Sequence, residues 1–230
     1  MGIFDDEDKQ IDNIDKNIRA SIRDFIKANY KGVFKVSKTI NADGKYEVSS
    51  VYDAVVTNKK IESLTNGLFV WTEVRSFDCS DCFALTSLKG APEKVGEKFT
   101  CSRCRSLRTL EGTPKEVGIT FDCSSCKSLT SLEGAPREVG GSFVCSYCDD
   151  LVSLSGSPEA VGKIFDCSHC KNLESLVGAP VSPEIVLNCS YCPKLTSFED
   201  LPQRVSSFRC KGCSGVIRYI DIIIRNTSEY

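Results

Sequence analysis

The sequence predicts a mainly β protein built as a solenoid of short stacked repeats, on three observations. All 14 cysteines fall into seven C-x-x-C pairs. The first six pairs begin at Cys79, Cys101, Cys123, Cys145, Cys167 and Cys189, always 22 residues apart, and the seventh, Cys210 with Cys213, comes one residue early, as an atypical terminal repeat does when it closes an array. Within a repeat such as F-D-C-S-S-C-K-S-L-T-S-L-E-G-A-P-R-E-V-G, Phe121 to Gly140, Phe121 and Cys123 alternate as two residues on one face of a strand; Cys126, Leu129 and Leu132 then continue inward around a bend, followed by Pro136 and Val139.

The elements follow in chain order. In residues 1–32, Ile11, Ile14, Ile18, Ile22 and Phe25 recur at helical spacing through polar sequence, which predicts an amphipathic helix over about residues 6 to 29, with Gly32 as its stop. Its apolar stripe is expected to cover the exposed first edge of the repeat core; the alternative use is as a dimerisation helix, giving a homodimer. In residues 33–76, V-F-K-V-S and K-Y-E-V-S flank Asp43-Gly44, a hairpin signal. The following V-V-T-N-K-K-I-E-S-L places Asn58, Ile61 and Leu64 in the phase of Cys126, Leu129 and Leu132, a degenerate first repeat, and Trp71 is expected in the core at this junction. The repeats occupy residues 77–215. In residues 216–230, V-I-R-Y-I-D-I-I-I-R from Val216 to Arg225 is expected as a closing strand that shields the last open edge.

The cysteines admit two readings. C-x2-C-x18-C-x2-C falls within spacings that suggest zinc, but four thiolates per ion would leave one of seven pairs without a mate, and Ser rather than Gly or Pro follows the first Cys in six of them. The other reading makes Cys79, Cys82, Cys101, Cys104, Cys123, Cys126, Cys145, Cys148, Cys167, Cys170, Cys189, Cys192, Cys210 and Cys213 small structural core residues, each thiol able to face a backbone carbonyl as a weak donor. We expect core packing, with no metal and no cofactor, and a chain that prefers a reducing compartment.

The order of inward positions is that of the leucine-rich repeat, L-x-x-L-x-L-x-x-N/C-x-L, with Phe and Cys at the strand positions and the second Cys at the Asn/Cys ladder position. From Phe77 to Val216 the chain resembles a short, cysteine-rich leucine-rich repeat array. Its L-T-S-L core, Leu129 to Leu132, is also similar to the short repeats of bacterial effector proteins, which carry Asn where this chain has Cys126. With its N-terminal segment it resembles uncharacterised proteins encoded by bacteriophages and some bacteria. The resemblance implies a solenoid with a parallel sheet on its concave face and an irregular convex side. It carries no activity.

A formal charge of −2 with interspersed signs excludes the electrostatic footprint of a nucleic-acid or anionic-membrane binder. No apolar run approaches the ~18 residues that span a bilayer, and the start M-G-I-F-D-D-E-D-K-Q lacks an export core, so a cytoplasmic protein is expected. No phosphate loop, H-E-x-x-H or nucleophile with a base is present, and an enzyme is not expected. The expected function is protein binding across columns of outward residues that vary between repeats: Asp78, Thr100, Asp122, Val144, Asp166, Asn188 and Arg209 in one, and Asp81, Arg103, Ser125, Tyr147, His169, Tyr191 and Gly212 in the other. Arg103, Asp122, Val144, Tyr147, Asp166, His169 and Tyr191 are the candidate protein-binding residues, with the three rings side by side on successive strands. His169, the sole histidine, is expected to point outward, between two cysteines that point inward. The near-invariant serine after the first cysteine, present in six of the seven pairs and replaced by Lys211 in the last, is expected to form a hydrogen-bonding ladder. Alternative readings are a phage-encoded inhibitor that sequesters a host defence or regulatory protein, and a zinc-binding or redox-responsive protein.

Overall fold

Ile18, Ile22, Phe25 and Ile26 lie three or four residues apart, and this spacing turns them to one side of an α-helix spanning Phe4–Asn29. The computed structural model describes residues 4–181, 184–196, 198 and 205–214, with side chains from residue 14 onward. Ile22 and Ile26 are buried, and Ile18 and Phe25 pack against the core, whereas Ile14 stays exposed. Among the helix residues whose side chains are described, those from Ile18 onward make the cap. Phe25 reaches Phe69 at 5.9 Å between ring centroids and opens an aromatic cluster in which Trp71 packs against Tyr30, Phe34, Phe69 and Phe77. Trp71 is buried, and its indole N–H donates to the Leu64 carbonyl at 3.1 Å, which satisfies its one polar group as a core tryptophan requires.

The chain leaves the helix directly into Tyr30–Lys31, which pairs antiparallel with Ala54–Val56 and closes the first edge of a nine-stranded sheet. Every later pairing in that sheet is parallel. A reversed strand fed by a helix protects the edge against pairing with another chain. The expected hairpin forms between Lys35–Ile40 and Tyr46–Ser49. Asn41 Oδ1 accepts the Asp43 and Lys45 N–H groups at its turn, and Phe69–Trp71 adds a parallel third strand.

One repeat per rung builds the body. Phe77, Phe99, Phe121, Phe143, Phe165, Leu187 and Phe208 are in direct register along the main sheet. From Phe99 to Phe165 the rings are stacked with centroids 5.2 to 5.3 Å apart. Leu129 N–H bonds the Cys126 carbonyl at 3.1 Å, and the same three-residue turn recurs in each of the first six repeats, from Leu85 to Leu195. Ile61 does the same with Asn58 at 3.1 Å, so the degenerate first repeat is present. Asn58 Nδ2 donates to Asn29 at the helix end, and so joins cap to array.

The side expected to be irregular is turns plus a second parallel sheet. Glu73–Val74, Lys94–Val95, Glu116–Val117, Glu138–Val139 and Ala160–Val161 align as two-residue strands. Their valines are buried, so a single inward residue per repeat suffices to hold a strand there. The corner between the sheets depends on glycine. A Cβ on Gly140 would overlap the Gly118 carbonyl oxygen of the preceding rung, and Gly118 and Gly162 repeat the relation. Gly140→Ala is expected to cost about 1 to 3 kcal/mol, as forced overpacking does, read as a lower urea midpoint; an unchanged midpoint would show that the rungs can separate freely. The closing strand expected from Val216 to Arg225 lies outside the described residues.

Candidate functional site

Each repeat's strand ends after its outward residue, and the C-x-x-C segment is a turn rather than a strand continuation. The second turn residue has φ near +60° in Asp81, Arg103, Ser125, Tyr147, His169 and Tyr191, and Gly212 has +74°. The candidate rings thus sit on a column of left-handed turns, three residues beyond the ends of the strands to which the sequence assigned them. The ladder nevertheless runs through the turn: Ser125 N–H bonds the Ser146 carbonyl, Tyr147 that of Ser168, and His169 that of Ser190, at 2.8 to 2.9 Å. This ladder holds successive side chains in line.

The consequence is a ring stack. Tyr147 lies on His169 at 4.4 Å and 5° between planes, and His169 on Tyr191 at 4.6 Å and 18°. Gly212 closes the far side: a Cβ there would lie 2.8 Å from a Tyr191 ring carbon. At the near end Arg103 turns away and forms a bidentate pair with Asp81 at 2.7 and 2.8 Å. The pairing holds the Asp81 carboxyl below its usual range and raises the Arg103 guanidinium.

Val144, Asp122 and Asp166 stand on the adjoining strand column, half-buried. Asp122 Oδ1 accepts the Ser124 N–H at 2.8 Å, Asp166 the Ser168 N–H at 2.9 Å, and Asn188 the Ser190 N–H at 3.2 Å. These acids brace the turn that carries the rings, a structural duty that treating them only as variable surface residues missed. The serine ladder is confined: Ser102 Oγ reaches Ser80 Oγ at 3.2 Å, and most of these serines are buried. Sequence reasoning also passed over the column one residue before each Phe, where Ile164 is exposed and Val186 half-buried beside Val144 and Asn188. Alternation about the inward Phe places both columns on one face and is the signal that finds them. On the other side of the stack, Asp149 takes Lys127 and Lys171 at 3.2 Å each.

The cysteines face inward from the same turns. Cys104 Sγ donates to the Cys79 carbonyl at 3.1 Å; Cys126, Cys148, Cys170, Cys192 and Cys213 donate to Cys101, Cys123, Cys145, Cys167 and Cys189 at 2.9 to 3.3 Å. From Cys104 onward the second cysteine thus satisfies a buried carbonyl of the rung before it, as a ladder asparagine would, whereas Cys82 turns to the Ser80 carbonyl of its own turn. All 14 thiols are free, and only Cys210 is not buried. Burial pushes Cys101, Cys123, Cys145 and Cys167 well above the usual thiol range, the reverse of what a nucleophile or metal ligand needs. Among the described residues no three His, Cys, Asp or Glu side chains are grouped as a metal would need. A broad concavity of about 940 Å³ lies along the second sheet instead, walled by Glu73, Glu116 and Glu138 over bare backbone at Gly96, Gly118 and Gly140.

Comparison of the chain with models of known families, with characterised proteins and with solved structures gave no match. Among the described residues no helix is long and apolar enough to cross a membrane.

Proposed function

We propose that the protein is a non-enzymatic binding module that captures a partner protein on the strip formed by Tyr147, His169 and Tyr191, flanked by Val144, Asp122, Asp166 and Arg103. One observation carries this reading: three large rings occupy consecutive left-handed turn positions that Asp81, Ser125 and Gly212 fill with small or turn-forming residues, and Arg103 with a paired cation, in other rungs. Holding an L-residue there costs about 1 to 2 kcal/mol, and each ring contact returns about 0.5 to 1.5 kcal/mol. Stability alone is no reason to prefer the rings over glycine. Backbone strain kept at exposed aromatic groups is a signature of function, and stacked rings are rigid, with little entropy left to lose on binding.

Membership of the cysteine-rich leucine-rich repeat class, a phage or bacterial source, and residence in a reducing cytoplasm belong to the same proposal. The 14 free thiols support the last of these.

The test replaces Tyr147 and Tyr191 together by Ala and measures capture of a partner from candidate host lysate, then its affinity. Loss of two central anchors is expected to weaken binding by roughly 30-fold or more, as hot-spot truncation does, with the far-ultraviolet spectrum unchanged. Equal affinity would remove the strip as the binding face. A photo-cross-linking residue at position 147 is expected to label the partner where one at Lys115, on the second sheet, does not.

A further inference from the structure

Five of the six ring faces in the stack have an assigned neighbour. Both faces of His169 are covered by tyrosines, each tyrosine spends its inner face on His169, and the outer face of Tyr191 meets Gly212. The outer face of Tyr147 looks over Ser125, whose side chain is too short to cover it; the two tyrosines are similarly exposed, 49 % and 44 %, so the distinction rests on the neighbour in the next rung and not on exposure. Beyond Ser125 the next side chain, Arg103, is drawn the other way by its bidentate bond to Asp81. Rungs advance by about 4.8 Å, so a flat group above Ser125 would lie about one such step from the Tyr147 ring, matching the spacing the stack already uses.

Asp122 stands in the same rung as Ser125. Only its Oδ1 accepts a hydrogen bond, from Ser124 N–H; it forms no ion pair among the described residues, Arg103 acting on it only at longer range while bonded to Asp81, and Lys127 being paired with Asp149. An uncovered aromatic face with a carboxylate beside it is the combination that holds a guanidinium, which stacks by its plane and pairs by its edge. A neutral ring in the same place would leave the carboxylate unanswered.

We infer that the vacant rung over Ser125 is an arginine subsite, in which the guanidinium of a partner protein's arginine stacks on Tyr147 and pairs with Asp122. This rests on the strip being the binding face and names the side chain it takes. One rung away, Arg103 shows the pairing half of this arrangement, its guanidinium held edge-on by the Asp81 carboxylate of the neighbouring rung.

The experiment titrates the full chain, labelled for NMR, with N-acetyl-arginine-N-methylamide and with the lysine and phenylalanine equivalents. Saturable shifts are expected at the Ser125 and Tyr147 amides with the arginine probe, and weaker ones with lysine, which offers a point charge without a plane. Asp122→Asn preserves the bond to Ser124 N–H, as Asn188 does for Ser190, but removes the charge; affinity is expected to fall about five-fold or more. Ser125→Tyr would fill the rung with a fourth ring and is expected to abolish the shifts, with the remaining spectrum retained. Equal binding by Asp122→Asn, equal or tighter binding of the phenylalanine probe, or arginine shifts located elsewhere would each overturn the subsite. If the arginine probe fails while Tyr147→Ala with Tyr191→Ala still loses partner capture, the arginine subsite falls and the binding strip stands. If the double variant keeps its partner, the strip itself falls.

Discussion

Raising the pH from 7 to 10 under reducing conditions is expected to unfold the protein, with stability falling steeply once the usual thiol range is passed. Cys101, Cys123, Cys145 and Cys167 are fully buried, and burial lifts each thiol well above its ordinary value. Below the unfolded-state value both states hold the proton, and the protonated core is fully stable. Above it the unfolded chain releases protons that the folded chain retains, so stability is lost as pH rises through the window between the two values. Each such thiol contributes about 1.4 kcal/mol per pH unit. These four alone give a slope near 5.5 kcal/mol per unit, against a total stability of about 5 to 15 kcal/mol for a typical domain. Urea midpoints measured from pH 7 to 10 test this, with the slope counting the protons released. Replacing the four cysteines by Ala is expected to flatten the slope by about four protons. Metal-bound thiolates would produce the opposite sign, with stability lost as pH falls. A stability flat to pH 10, or one that collapses only in acid, would sink the packed-thiol account.

Phe143→Ala is expected to cost about 3 to 5 kcal/mol, the range for removing a buried phenylalanine. Its ring lies between Phe121 and Phe165 at 5.2 and 5.3 Å, within 12° and 5° of parallel. The flanking rungs cannot close over the gap, because the main-chain ladder on either side sets their spacing. Each repeat contacts mainly its neighbours, so the damage is expected to be local first, with amide exchange rising in the rungs around Phe143 while the aromatic cluster at Trp71 stays protected. Phe143→Leu is the control. Leu187 fills the same column two rungs later, so this exchange is expected to cost less than half as much. A loss below about 1 kcal/mol for Phe143→Ala would mean that the stack is not the continuous core it resembles.

The cysteine period alone identified rung length, register and the inward set, because a repeated sequence can bury its face only by stacking like on like. The spacing of Ile18, Ile22 and Phe25 marked the capping helix, Asp43-Gly44 the hairpin, and Asn58, Ile61 and Leu64 the degenerate first repeat. Thiols facing carbonyls were legible too, since a small buried donor needs an acceptor. The left-handed turn was not legible. Asp81, Ser125 and Gly212 hint at it, but Tyr147 and His169 at the same position mask the signal, because local propensity is overridden there by the ladder on both sides. Nor could the sequence tell that Asp122 and Asp166 brace that turn, or that Arg103 leans toward Asp81 rather than toward Tyr147. Periodicity determines which residues share a column. Only the folded backbone decides where a column's side chains point, and so which ring face is left uncovered.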